Sequence, residues 1–239
     1  MAVVTINGQF GCGSREVGVL VAQLLEADYI DRVILVEAAK RLGATVEALA
    51  VREQRPQTFG DRLARTLQSF LERSAVASMG EEFSPLMMDT ILSRPYGAEA
   101  QQPIGRSQEL DDARVGEVMT EVIRDVAKGG NVVIVGRASN IILKDTTGTF
   151  HAGLATPYAK RVRIVLDREK LTDMTLAERM TQDGEKARVE FYRKVFKASP
   201  DNLSLYHMVL NMENLDFTVA SSIIAHAAIC YGQEKGPGA

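Results

Sequence analysis

Short apolar runs alternate along the chain with longer segments in which apolar residues recur every three or four positions. The short runs predict five strands, at Val3–Ile6, Asp28–Ile30, Val132–Val135, Thr149–Leu154 and Tyr206–Leu210. The longer segments predict amphipathic helices, which supply the crossover connections that parallel strands require. This order of elements predicts an α/β fold around a five-stranded, mostly parallel sheet.

Three glycines, Gly8, Gly11 and Gly13, lie between the first predicted strand and the first predicted helix. The helix has apolar residues on one face, at Val17, Leu20, Val21, Leu24 and Leu25. Its first turn is therefore predicted at Ser14–Glu16, where backbone N–H groups have no partner within the helix. Glycines allow a close approach of the backbone, and a helix N-terminus attracts anions. The segment predicts a phosphate site, with a tight turn that binds no ligand as the alternative.

Gly8 and Gly13 have the G-x-x-x-x-G spacing of a P-loop, but Ser14-Arg15 replaces the Lys-Ser/Thr that follows. Arg15 is then the candidate for the missing cation, and Ser14 for the hydroxyl, each displaced by one position. The predicted nucleotide-binding residues are Gly8, Gly11, Cys12, Gly13, Ser14, Arg15 and Glu16.

Composition and charge narrow the class of protein. The 239 residues are 46% hydrophobic and carry a net charge of -3, which predicts one domain with a sizeable core and argues against a nucleic-acid partner. No apolar run is long enough for a membrane span. Cys12 and Cys230 have neither metal-ligand spacing nor a disulfide-rich context, and the three histidines are scattered, so we predict no metal-binding side chains and a cytoplasmic location. The sequence leaves open whether the chain forms a homo-oligomer.

Two segments depart from the simple alternation of strands and helices. Between residues 53 and 111, glycines and prolines repeatedly interrupt helical patterns, which predicts an inserted helical subdomain within a single domain at 1–231. A second, lid-like helical segment is predicted at 170–198, and a flexible tail at 232–239.

Basic residues are concentrated around the lid-like segment. Lys160–Lys197 contains eleven Lys and Arg against seven Asp and Glu. Arg179, Arg188 and Arg193 are predicted to close over a triphosphate, because arginine forks neutralise phosphate charge. The alternative is a solvated helix face with i, i+4 ion pairs.

Polar residues follow several predicted strands. Asp31, Gly136-Arg137, Ala155-Thr156 and Asn211 stand at strand ends. Because the carboxyl ends of parallel strands meet at one edge of a sheet, these residues and the glycine segment are expected to converge there. Asp31 has an alternative role as the N-cap of a following helix.

Four stretches together resemble the cytidylate kinase-like family, a branch of the nucleoside monophosphate kinases with the P-loop fold. They are the run from Val4 to Val17, Tyr29-Ile-Asp-Arg, Val133-Ile-Val-Gly-Arg-Ala-Ser-Asn and Gly184-Glu-Lys-Ala-Arg-Val-Glu-Phe-Tyr-Arg. The resemblance covers residues 3–55 and 111–229. The loop of this branch typically reads Gly-Ser-Gly-Gly-Arg-Glu, which Gly11-Cys-Gly-Ser-Arg-Glu16 matches closely.

The resemblance implies a three-layer α/β/α fold with an inserted region and a basic lid. It also implies ATP and a nucleoside monophosphate as ligands, with Mg²⁺ held through the phosphates. By the same resemblance, Arg137 contacts the monophosphate, with Asp31 and Arg32 at the acceptor site. The candidate catalytic residues are Arg15, Arg137, Arg179, Arg188 and Arg193.

The chain departs from true cytidylate kinases at the third strand and in the lid. Those enzymes have Asp-Gly-Arg-Asp where this chain has Val135-Gly136-Arg137-Ala138, and Glu185 stands where the lid usually has Asp. Three functions therefore remain open: transfer of a phosphoryl group from ATP to a nucleoside monophosphate, transfer to another small molecule, or nucleotide binding by a regulatory protein with little or no turnover.

Overall fold

The computed structural model describes residues 2–31, 117 and 119–234. The predicted insertion at 53–111 and the predicted acceptor residue Arg32 lie outside these residues. The described elements build the sheet, its covering helices and the edge of the sheet where the glycine segment lies.

Five parallel strands form one sheet. They are β1 (Val3–Gly8), β2 (Asp28–Ile30), β3 (Val132–Val135), β4 (Thr149–Ala155) and β5 (Met208–Asn211), in the spatial order β2-β3-β1-β4-β5. Every neighbouring pair is parallel, which confirms the predicted sheet. The fifth strand begins at Met208 rather than at Tyr206, because a 3₁₀ turn at Leu203–Leu205 precedes it.

Six helical segments are described. They are α1 (Ser14–Leu24), α2 (119–128), α3 (Ser139–Ile142), α4 (Tyr158–Arg168), α5 (Met174–Phe196) and α6 (Phe217–Glu234). The lid-like segment is thus a single helix, α5. Helix α6 continues to Glu234, so the first three residues of the predicted tail, 232–234, are helical. No helix of the described residues is both long and apolar enough to cross a membrane.

The sheet lies between two helical layers. Val4 and Ile6 of β1 are fully buried in a core that includes α1 and α6. The alternate β1 residue Asn7 faces the other side, where its side chain bonds to Ser139 of α3 and contacts Tyr192 of α5. The fold is therefore a three-layer α/β/α arrangement, with helices on both faces of the sheet. Each fully buried aliphatic side chain contributes about 1.5–3 kcal/mol to such a core.

Candidate functional site

The segment from Gly8 to Arg15, here called the glycine loop, joins β1 to α1 at the carboxyl edge of the sheet. Gly11 and Gly13 have φ angles of 81° and 89°, in the left-handed region. Gly13 is the N-cap residue of α1 and has no side chain that could cap this helix. The loop also contains a tight turn, in which the N–H of Cys12 donates to the carbonyl of Gln9 at 3.0 Å. An uncapped helix start behind two left-handed glycines suits an anion.

Neighbouring elements leave no room for side chains at the loop glycines. A Cβ at Gly13 would lie 2.5 Å from Cε1 of Phe217, the first residue of α6, and one at Gly11 would lie 2.9 Å from the carbonyl oxygen of Arg161 in α4. A Cβ at Gly8 would collide with the carbonyl of Leu154 in β4. The loop shape is therefore fixed by packing against three elements.

The end of β4 is bonded to the glycine loop. The hydroxyl of Thr156 donates to the carbonyl of Cys12 at 3.0 Å, and its N–H donates to Oε1 of Gln9 at 3.2 Å. The end of β3 joins β1 as well, because the N–H of Gly136 donates to the carbonyl of Ile6 at 3.0 Å. The strand ends and the loop thus share one edge of the sheet, as the sequence pattern predicts.

Arg15 and Asp31 connect α1 with the end of β2. Nε of Arg15 donates to Oδ2 of Asp31 at 3.0 Å, and the hydroxyl of Tyr29 donates to the same oxygen at 3.1 Å. Partial burial disfavours the charged form of Arg15, but the attraction of Asp31 outweighs it and raises the pKa of Arg15. Burial, followed by the nearby carboxylate, raises the pKa of Tyr29.

The exposure of this pair leaves Arg15 able to meet a ligand. Its side chain is 42% exposed, whereas that of Asp31 is 6% exposed. The chain beyond Asp31 lies outside the described residues, so both predicted roles of Asp31, acceptor contact and N-cap, stay predictions.

Helix α5 presents Arg188 and Glu185 to the glycine loop. The carboxylate of Glu185 accepts the N–H of Phe10 at 2.7 Å, Nη2 of Arg188 at 2.7 Å and Nε of Arg188 at 3.2 Å. Arg188 also donates to Oδ1 of Asp201 at 3.1 Å. Burial opposes the charge of Arg188, but its bonds to Glu185 outweigh this and raise its pKa. A guanidinium is thus held beside the loop with its charge retained.

The other two lid arginines point elsewhere. The buried residues of α5 are spaced three or four apart, at Ala177, Thr181, Gly184, Arg188 and Tyr192. Arg179 lies nine positions before Arg188, which at about 100° per residue places it on the opposite side of the helix. Both Arg179 and Arg193 are exposed. Their predicted contact with a triphosphate requires a different placement of α5 and stays a prediction.

Arg137 follows β3 in an unusual backbone conformation. Gly136, Arg137 and Ala138 have consecutive positive φ angles of 76°, 57° and 54°. Such conformations are costly for residues with a Cβ and cluster at functional sites. Arg137 is also buried, with 4% of its surface exposed. Arg137 is thus a buried arginine at the carboxyl edge of the sheet, and its contact with a monophosphate stays a prediction.

A cavity of about 220 Å³ opens beside the loop. Its walls include Gly8, Gly153, Arg188, Asp201, Tyr206 and Val209. Its lining combines apolar surface with the guanidinium of Arg188 and the carboxylate of Asp201, so it suits a small molecule that carries polar groups.

A phosphate suits the first turn of α1, because the N-cap residue Gly13 has no side chain that would compete for its N–H groups. The side chains of the described residues give less direct support for a bound magnesium ion. The described residues contain no group of three or more His, Cys, Asp or Glu side chains that could hold a metal ion. The hydroxyl of Ser14 at the helix start is one described group that could hold a magnesium ion beside phosphate oxygens.

Sequence reasoning missed the contacts that Glu185, Arg161 and Asp201 make around the loop. Two signals were available for Glu185: its position where the lid of the family usually has Asp, and its i, i+3 spacing from Arg188, which predicts their pairing on one helix face. Nothing in the sequence indicates that the backbone of Phe10 is the other partner.

Similarity to one solved structure supports this architecture. No protein with a curated description matches the chain. An uncharacterized protein from Eubacterium ventriosum is similar in structure, with a TM-score of 0.55, 16% identity and 98% coverage of each chain. Two further solved structures have TM-scores of 0.44. The shikimate kinase from Acinetobacter baumannii in complex with shikimate is 13% identical, with 96% of this chain and 94% of that one covered. The protein TT1252 from Thermus thermophilus is 16% identical, with 96% of each chain covered.

The model of the cytidylate kinase-like family matches residues 3–214, which include the glycine loop, all five strands and α5. The chain, with its parallel sheet in the order β2-β3-β1-β4-β5, therefore belongs to the cytidylate kinase-like family.

Proposed function

We propose that the protein transfers the γ-phosphoryl group of ATP to a nucleoside monophosphate. The observation that carries this proposal is the uncapped start of α1 behind Gly11 and Gly13, with Arg15 and Arg188 close to the same loop. Phosphoryl transfer depends chiefly on positioning and on neutralising charge, and cationic side chains at a helix N-terminus supply both. Membership of the family supports the same reaction class.

In this proposal, each group of residues at the carboxyl edge of the sheet has its own role. Backbone N–H groups of the glycine loop hold the donor phosphates, with Cys12 and Glu16 contributing through their backbone. Arg15 supplies the cation that a P-loop lysine supplies elsewhere. Arg137, Asp31 and Arg32 bind the acceptor.

In the reaction, an oxygen of the acceptor monophosphate forms a bond to the γ-phosphorus of ATP while the bond from that phosphorus to the β–γ bridging oxygen breaks. ADP leaves with the bridging oxygen. Magnesium bound to the phosphates would spread the negative charge of the transferring group. Arg188 lies at the loop to stabilise the same charge, and Arg179 and Arg193 would add to it once α5 moves over the nucleotide.

A regulatory role without turnover is the second candidate. It is favoured by the stretch Val135-Gly136-Arg137-Ala138, which lacks both acids of the true cytidylate kinases. A protein of this kind would keep the phosphate loop and bind ATP, but would not transfer the phosphoryl group. In either case, the two free thiols, Cys12 and Cys230, suit a cytoplasmic location.

An assay of phosphoryl transfer from γ-labelled ATP, with magnesium present, tests the proposal. The acceptor panel contains the common nucleoside monophosphates and a set of small alcohols and hydroxy acids. We expect labelled nucleoside diphosphate from at least one monophosphate. The Arg188→Ala variant should not form this labelled product. Label on an alcohol instead would assign the small-molecule reaction. Saturable ATP binding without transfer to any acceptor would overturn the kinase proposal in favour of the regulatory one.

A further inference from the structure

We propose that Glu185 is a positioning residue, which fixes the shape of the glycine loop through the backbone of Phe10 and ties that shape to the docking of α5. This inference rests on the proposed function, since it concerns how the loop is prepared for a donor phosphate. Glu185 acts through the loop and through Arg188 rather than by touching a substrate.

Both backbone groups of Phe10 are held by charged side chains. Its N–H donates to Oε2 of Glu185 at 2.7 Å, and its carbonyl accepts Nη1 of Arg161 at 3.2 Å. The same Nη1 lies 3.7 Å from Oε2 of Glu185, which closes a small ring of charges around this residue. Hydrogen bonds to ionised groups are shorter and stronger than neutral ones. Phe10 is thus clamped from α4 on one side and from α5 on the other.

The side chain of Phe10 is held by the same two helices. A Cβ at Gly184 of α5 would lie 2.6 Å from Cγ of the ring, so the helix can approach only because this residue is glycine. The guanidinium of Arg168 in α4 lies 5.7 Å from the ring centroid on the other side. The backbone and ring contacts of Phe10 therefore couple the position of α5 to the position of the loop.

Glu185 also holds Arg188, the lid arginine that faces the loop. Its two oxygens accept two bonds from the Arg188 guanidinium in addition to the bond from Phe10. The carboxylate is 22% exposed and the arginine side chain 6% exposed, so neither group is well solvated. Removal of Glu185 would break the bond to the N–H of Phe10 and two bonds of Arg188 together, and would leave Arg188 only its bond to Asp201 among those described above. A purely structural ion pair would stabilise the fold without affecting the loop.

Two substitutions separate these possibilities. Glu185→Gln keeps an oxygen that can accept the N–H of Phe10 but lacks the charge that pairs with Arg188. Glu185→Ala removes both. Glu178→Ala is the matched control, because Glu178 is an exposed residue on the same helix.

The first measurement is the exchange rate of the Phe10 amide hydrogen by NMR in the full chain without nucleotide. We expect exchange about ten times faster or more in Glu185→Ala, a rate close to wild type in Glu185→Gln, and no change in Glu178→Ala. The second is ATP affinity by calorimetry, which we expect to fall about tenfold in Glu185→Ala and less in Glu185→Gln.

A Phe10 amide that exchanges at the wild-type rate in folded Glu185→Ala would overturn the proposal, as would equal ATP affinities in wild type and Glu185→Ala. Should Glu185→Ala not fold, Glu185→Asp carries the same test, because its shorter side chain draws the carboxylate away from Phe10. Neither readout needs turnover. A chain that transfers no phosphoryl group would contradict the proposed function while leaving this inference to be decided by the exchange data.

Discussion

Arg15 and Asp31 form a 3.0 Å ion pair that joins the first turn of α1 to the end of β2. Arg15 nevertheless keeps 42% of its side chain exposed. A guanidinium has five N–H donors, so it can hold a carboxylate and meet a phosphate at the same time. Asp31 therefore orients Arg15 and leaves other donors of its guanidinium for a ligand.

Arg15→Ala should weaken ATP binding about tenfold or more. Arg15→Lys should weaken it less, because lysine keeps the positive charge but lacks the planar guanidinium that can form two parallel hydrogen bonds. Titration calorimetry on both variants measures this. Arg163→Ala is the control, since Arg163 is an exposed arginine on α4. Wild-type affinity in both Arg15 variants would make Arg15 a residue of the helix surface only.

Gly13→Ala should lower the free energy of unfolding by about 2–4 kcal/mol, because it combines a left-handed backbone with overlap on the Phe217 ring. Gly136→Ala separates the two effects, since Gly136 has φ 76° but nothing within 4 Å of a new Cβ. The Gly136→Ala variant should lower the free energy of unfolding by only about 1–2 kcal/mol. Urea unfolding compares them, and equal losses would show that the Phe217 contact does not fix the loop.

Arg188→Ala should lower ATP affinity more than the double variant Arg179→Ala, Arg193→Ala. Only Arg188 lies on the buried face of α5, bonded to Glu185 and Asp201. Its loss leaves the partly buried Glu185 without this partner and should also destabilise the fold by about 2 kcal/mol or more. The double variant should change stability by less than about 0.5 kcal/mol. The opposite ranking in calorimetry and unfolding would show that the outer face of α5 binds the nucleotide.

Acid should destabilise the protein through His151. Burial, together with the stacked ring of His207 at 5.1 Å, lowers the pKa of His151 to about 4. The unfolded chain takes up a proton near pH 6.5 and the folded chain does so only near pH 4, so stability is lost as the pH falls between these values. This group should remove about 2 kcal/mol at pH 5 relative to pH 7.

Urea unfolding at both pH values tests the effect of acid. We expect a smaller pH dependence in His151→Gln than in wild type, and an unchanged one in His226→Gln, since His226 is exposed on α6. An equal pH dependence in wild type and His151→Gln would contradict the role of His151.

The sequence predicted the sheet well because its strands have a strong local signal. Val132–Val135 is a continuous run of buried β-branched residues, and the loop glycines mark the start of α1. Periodicity placed the lid as one helix but did not reveal its orientation. Arg179, Arg188 and Arg193 were all candidates in the sequence, and the contacts of Gly184 and Glu185 with Phe10 show which face of α5 meets the loop.

The contacts between distant segments could not be predicted from local patterns. Phe10 and Glu185 are 175 positions apart, and their bond joins a backbone N–H, which every residue except proline has, to a side chain. Arg15 and Asp31 were both candidates, but their pairing follows from the strand order β2-β3-β1 and not from spacing.

An NMR titration of the full chain with ATP and magnesium tests the central claim most directly, because it reports which backbone amides meet the nucleotide. We expect saturable shifts at the amides of Gly11–Arg15, and smaller ones with Arg15→Ala at the same ATP concentration. Amides of this loop that do not shift at ATP concentrations in the millimolar range would contradict the assignment of the glycine loop as the site of the donor phosphates.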